Sequence, residues 1–283
     1  GGTGDGTTDT SGDSLLGDAA GDTLLGEAGA DTIDGGDSVD TILGGTGDDS
    51  ILGGTGTHGD TIYGGLGADT IDAGAGNDSV NGDDGAASGG DADSILGGAG
   101  NDTVYGNAGN DTIDAGSGTD TVFGQDGADT LVGGATGEAD FDSLVGGLGA
   151  DTIFGGGGTD RIAGGTGDGT TDTSGDSLLG DDGADTILGE AGDDTVLGGL
   201  GVDSVDAGSG ADSVNGDDGT AANGSGDLIF GGTGNDVLYG NGGGDTIDAA
   251  AGTDTVFGQD GADTIVGGAA GEVEADSLAG ELG

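Results

Sequence analysis

Basic residues are almost absent from this chain: one Lys or Arg stands against 56 Asp and Glu, for a formal net charge of -55 over 283 residues. That balance makes nucleic acid a very poor partner, because its phosphates would be repelled. Aromatics are scarce as well, with three Tyr, five Phe and no Trp. By composition alone, a chain so charged and so poor in large apolar groups reads as disordered unless polycations or many metal ions offset the charge. Cysteine is missing, which excludes disulfides and thiol chemistry and would leave structural zinc without sulfur. No apolar run approaches the roughly 20 residues of a membrane-spanning helix, and no basic segment followed by an apolar one opens the chain. The first residue is Gly1, so the chain reads as a processed product or a piece of something longer.

What is abundant is glycine, 79 residues of it, and it is periodic. In "GGAGNDTVYGNAGNDTIDAGSGTDTVFGQDGADTLVGG", residues 97–134, Asp102, Asp111, Asp120 and Asp129 recur every nine residues. Across the repeat units an Asp is followed two residues later by Ile, Leu or Val 27 times, from Asp13 to Asp276, the Asp37–Val39 match lying out of step with the repeat. Twenty of the 26 intervals are nine residues, and the six longer ones precede Asp60, Asp93, Asp142, Asp176, Asp227 and Asp276. One aliphatic residue in nine cannot make an amphipathic helix, which needs apolar residues at 3.6 spacing. It suits a very short strand with one inward side chain. The residue between Asp and the aliphatic is Thr or Ser in 24 of the 27 units, Arg161, Leu228 and Val237 being the exceptions, and such residues fit strands. Three-residue strands cannot stand alone, so the aliphatic groups must be buried by stacking unit on unit.

"GGTGDDSIL" (44–52), "GGLGADTID" (64–72) and "GGLGADTIF" (146–154) resemble the nonapeptide GGxGxDxUx of RTX (repeats-in-toxin) proteins. The resemblance covers essentially the whole chain. It implies an all-β fold, a right-handed parallel β-roll of about 27 short strands in two sheets without helices, with calcium bound by the loops between successive turns and the aliphatic side chains filling the interior. It also implies a secreted bacterial protein, extracellular and at the cell surface. Calcium takes six to eight oxygens from carboxylates and backbone carbonyls, and glycine lets a loop turn its carbonyls toward an ion. The metal ligands expected from the motif are Asp22, Asp31, Asp49, Asp69, Asp78, Asp102, Asp111, Asp120, Asp129, Asp151, Asp160, Asp185, Asp194, Asp203, Asp212, Asp236, Asp245 and Asp263. If neighbouring loops on each edge share one ion, 27 loops hold up to about 25 calcium ions, on the order of +50 against the -55 of the chain. The loops before Asp40 and Asp254 depart from the pattern at Ser38, Ala249 and Ala250, and the six insertions are left unassigned.

A longer repeat lies above the nonapeptide. "GGTGDGTTDTSGDSLLG" at 1–17 returns unchanged at 164–180, giving a first long repeat over 1–163 and a shortened second one over 164–283. No composition shift separates them, so the expectation is a single continuous array over 1–283 without evident caps. Seven of the eight aromatics, Tyr63, Tyr105, Phe123, Phe154, Phe230, Tyr239 and Phe257, directly follow the buried aliphatic, where the side chain points outward. His58 in an insertion and Arg161 on a strand read as solvated surface positions. Paired carboxylates such as Asp48 with Asp49 are by-products of the repeat, no segment forms a cleft, and no enzyme activity is expected. The leading functional expectation is a secreted calcium-binding structural protein, a rod or filament in a surface layer, sheath, fibre or adhesin stalk, self-associating end to end and also laterally. The alternatives are the repeat domain of a larger type I secreted enzyme or toxin, and an ice-binding solenoid.

Overall fold

The computed structural model describes residues 10–83, 90–166, 172–218, 224–268 and 277–280. Among the described residues there are thirty strands and no helix, hence no helix long and apolar enough to cross a membrane. Three strands, Gly157–Gly158, Asp182–Gly183 and Gly242–Gly243, are two-residue pieces of loop, and the other 27 each follow one of the repeated Asp residues. The chain forms two compact units, Gly1–Gly134 and Ala135–Gly283.

In the first unit, alternate strands join alternate sheets, all in parallel. Ser14–Leu16 pairs with Thr32–Gly36, which pairs with Ser50–Gly54 and so on to Thr130–Val132. Thr23–Ala28, Thr41–Thr46, Thr61–Leu66, Ser79–Asp83, Thr103–Ala108 and Thr121–Asp126 make the facing sheet. The second unit repeats the scheme, with one sheet running from Ser143–Leu148 through Arg161–Ala163 to Thr264–Val266. Its other sheet runs from Thr152–Phe154 through Ser177–Leu179 to Ser277–Gly280. Each unit is therefore a parallel β-solenoid, two strands to a turn, as the resemblance of its repeat implies.

Register follows from the pleat. Successive residues of a strand face opposite sides, and in 111–115 Asp111, Ile113 and Ala115 are buried while Thr112 and Asp114 are exposed. In-register pairing then stacks like on like: Ile33 opposes Ile51 and Ile51 opposes Ile71, each at most 1 % exposed. Burying one such side chain is worth about 1.5–3 kcal/mol, which no single three-residue strand could collect alone. Leu15, Leu24 and Ile265 are only half-buried.

The outward position after the aliphatic forms in-register ranks. In the first unit Leu25, Leu43, Tyr63, Asn81, Tyr105 and Phe123 follow one another. In the second, Phe154, Leu179 and Leu197 continue through Asn215 to Tyr239 and Phe257. The rings of Tyr105 and Phe123 stack at 5.1 Å and 8°, those of Tyr239 and Phe257 at 5.1 Å and 10°. His58 is exposed, Arg161 is half-buried between Ser143 and Thr186 on an outward strand face, and Phe141 is 46 % exposed.

Candidate metal centre

The Asp of each nonapeptide stands two residues before the buried aliphatic, so the pleat that drives the aliphatic inward drives the carboxylate inward too. Its Oδ1 has a definite use. It accepts the main-chain N–H of the corresponding Asp one turn earlier, as in Asp31 to Asp49 (2.8 Å), Asp93 to Asp111 (2.9 Å) and Asp194 to Asp212 (2.9 Å). These bonds link the repeated aspartates into four ladders. In the first unit one runs Asp13, Asp31, Asp49, Asp69, Asp93, Asp111, Asp129. The other runs Asp22, Asp40, Asp60, Asp78, Asp102, Asp120. In the second unit the ladders are Asp142, Asp160, Asp185, Asp203, Asp227, Asp245, Asp263 and Asp151, Asp176, Asp194, Asp212, Asp236, Asp254.

All eighteen aspartates expected from the motif lie in these ladders, sixteen of them buried and Asp22 and Asp263 half-buried. Asp40, Asp60, Asp93, Asp142, Asp176, Asp227 and Asp254, whose loops carry insertions or depart from the glycine pattern, are buried in the same ladders, and they share the Asp-x-aliphatic triplet with the eighteen. Ser38 and Ala250 take the glycine-like backbone all the same, with φ of 111° and 62°.

The second carboxylate oxygen has no such use. Oδ2 of Asp31, Asp49, Asp69, Asp102, Asp111, Asp160, Asp194 and Asp236, among others, is buried without a hydrogen-bond partner. A buried anionic oxygen left unmatched is costly. Burial accordingly pushes the carboxyls of Asp69, Asp129, Asp194 and Asp212 up to about 7 and that of Asp93 to about 8; the Oδ1 hydrogen bond opposes this shift and neighbouring aspartates add to it. The ladders lack a positive charge, and the chain has only one basic side chain to give.

The glycine that opens each loop shows where that charge fits. A Cβ built on Gly231 would lie 2.8 Å from both Asp236 Oδ2 and the carbonyl oxygen of Ala249, one turn on; at Gly155 the corresponding distances are 2.9 Å to Asp160 Oδ2 and 2.7 Å to the Gly180 carbonyl. Gly44 and Gly64 face the same pairing of an Asp oxygen with a carbonyl of the next turn. A carboxylate and a carbonyl oxygen thus converge at each loop, with no nitrogen or sulfur donor nearby in the repeat. Hard oxygen donors of this kind suit calcium. Among the described residues no three acidic or His side chains come together as a chelating group, so backbone carbonyls would have to complete the six to eight oxygens the ion needs. At the loop edge, side chains at the fifth position add a further ladder: Asn77 Oδ1 accepts Asn101 N–H (3.0 Å) and Asn101 Oδ1 accepts Thr119 N–H (3.1 Å).

The family model for the RTX calcium-binding nonapeptide repeat matches eleven segments between residues 7 and 270, several of them overlapping, among them 7–42, 88–122, 170–205 and 241–270. Among curated proteins none matches the chain significantly. Among solved structures, the chain is similar to a hyperactive, Ca2+-dependent, β-helical antifreeze protein from an Antarctic bacterium, at 23 % identity over 94 % of this chain and 83 % of that one, with a TM-score of 0.36. With its repeats matched over nearly its whole length and its carboxylates laddered along the turns, the chain belongs to the RTX calcium-binding nonapeptide repeat family, and calcium is its cofactor.

Proposed function

We propose that this chain is a secreted, extracellular structural protein whose β-solenoid units fold around calcium and serve as stiff segments of a bacterial cell-surface layer, sheath, fibre or adhesin stalk. The observation that carries the reading is the unmatched Oδ2 of the buried ladder aspartates. An array with so many buried anions needs cations along its full length, and calcium is abundant outside cells and scarce within them. The ligands in this reading are the eighteen motif aspartates together with carbonyls of the loop glycines. Nothing in the repeat assembles a nucleophile, a base and a cleft, so the reading assigns no catalysis. Self-association fits the same picture. Outward apolar neighbours such as Tyr105 and Phe123, or Phe154, Leu179 and Leu197, offer lateral contacts.

Far-UV circular dichroism joined to light scattering tests the reading. Calcium should convert a largely unfolded chain into β structure and then raise its particle size with protein concentration. A calcium-loaded chain that stays monomeric at high concentration would remove the filament role and leave a calcium-dependent spacer.

A further inference from the structure

Two buried carboxylates stand outside the nonapeptide pattern. Asp83 and Asp217, 134 residues apart in the duplicated sequence, occupy the second position of the loops opened by Gly82 and Gly216 and are 2 % and 3 % exposed. In regular loops the main-chain carbonyl at this position takes the N–H of the third loop residue one turn on, as Gly74 does for Ala99 and Asp181 for Leu200. Here a side chain takes it instead: Asp83 Oδ2 accepts Ala108 N–H at 3.0 Å, and Asp217 Oδ2 accepts Gly242 N–H at 2.9 Å. Asp217 is held further by Ser225 N–H on Oδ1 (3.3 Å) and by Asn241 Nδ2 on its carbonyl (3.4 Å). A carboxylate side chain thus stands where other loops place a main-chain carbonyl, and it stands there in both units.

Each of these carboxylates lies within electrostatic range of three ladder aspartates, Asp83 of Asp69, Asp93 and Asp111 and Asp217 of Asp203, Asp227 and Asp245. Independently of charge, the Oδ2 atoms of all six ladder residues are buried without a hydrogen-bond partner, and each residue is at most 3 % exposed. Oδ2 of Asp93 and the Gly106 carbonyl close on Gly82, the neighbour of Asp83, while Oδ2 of Asp227 and the Gly240 carbonyl close on Gly216, the neighbour of Asp217.

We propose that Asp83 with Asp93, and Asp217 with Asp227, form two calcium sites of higher negative charge than the regular loops, and that these are the tightest sites of their respective units. The inference rests on the calcium reading above. Affinity in oxygen-ligand calcium sites rises with the number of charged ligands, and the buried setting leaves the added charge little screened by water.

Isothermal titration of calcium into the chelator-stripped full chain tests it, with wild type compared to Asp83→Asn, Asp217→Asn and the double variant. Asn keeps one oxygen for Ala108 or Gly242 N–H and removes the charge; at Asp217 it also gives up the longer 3.3 Å acceptor for Ser225 N–H. Asp114→Asn with Asp206→Asn, at exposed outward strand positions, controls for general loss of charge. The expected result is that the tightest class of sites weakens about 10- to 100-fold in the double variant, and in only part of its ions in each single variant. The weaker class, and the circular dichroism at saturating calcium, should match wild type. A double variant that titrates like wild type overturns the proposal while leaving the calcium reading standing, as does one in which all classes weaken alike. A wild-type chain that binds no calcium takes both down.

Discussion

The main-chain N–H of Asp93 donates to Oδ1 of Asp111 at 2.9 Å, across 18 residues of sequence and one turn of the solenoid. The same side chain leaves Oδ2 buried and unmatched. One oxygen ties neighbouring turns together, and the other faces the place where a cation is needed. The two roles can be separated by substitution.

Asp111→Asn should keep the acceptor for Asp93 N–H and lose calcium binding at that loop, with little effect on the chain at saturating calcium elsewhere. Asp111→Ala removes the acceptor too, stranding a buried N–H at a further cost of about 1–3 kcal/mol. Urea unfolding at saturating calcium distinguishes the two variants. Equal midpoints for Asn and Ala would show that the Oδ1 bond contributes nothing.

Acid should help the metal-free chain and harm the loaded one. Burial raises Asp69, Asp194 and Asp212 from 3.8 to about 7 and Asp93 to about 8. The folded form therefore holds more protons than the unfolded form between about pH 4 and 8, and its stability falls as pH rises through that window. Calcium binds the ionised carboxylate, so with calcium present the order reverses and protons displace the ion over the same range. In chelator, β-type circular dichroism should grow as pH drops from 8 to 5. A metal-free chain that loses β signal over that drop would contradict the buried ladder.

The core column predicts a plain packing effect. Ile113 is fully buried beneath Ile95 and Leu131 in register, and Ile113→Ala should cost about 2–5 kcal/mol. Leu66→Ala, at a 44 % exposed position, should stay within about 0.5 kcal/mol. Denaturation midpoints in calcium decide this, and similar values for the two would sink the inward assignment.

Gly100 has φ of 137°, and a Cβ there would run into the carbonyl of Gly76 one turn earlier. Gly100→Ala should destabilise its unit by more than about 1 kcal/mol, because both the conformation and the space exclude a side chain. A calcium-saturated variant with an unchanged melting temperature would show that the turn can shift aside.

The period of nine and the Asp-x-aliphatic triplet made the short strands and their inward column legible before any coordinates, because an aliphatic group flanked by polar neighbours can be buried only by stacking unit on unit; the two-strand turn came with the resemblance of the repeat. The loops were less legible. Asn107, Gln125 and Glu190 hold positive φ where the motif calls for glycine, since the stacking of turns fixes the backbone more firmly than the local residue does. Asp93 and Asp227 follow insertions that break the nine-residue spacing, and register with Asp69 and Asp203 sets them in the ladder. Asp83 and Asp217 could not be read at all. Their role depends on Ala108 and Gly242, 25 residues downstream, and only the fold brings these into contact.

The central claim is that calcium supplies the positive charge this chain lacks, and counting the metal tests it most directly. The chain should be refolded in calcium, freed of excess ion by gel filtration and measured for bound calcium per molecule by mass spectrometry, with circular dichroism before and after chelation. The account predicts on the order of 25 ions per chain, released together with the β structure when chelator is added. A chain that keeps its full β spectrum in chelator, or that carries only a few ions when folded at neutral pH, would contradict it.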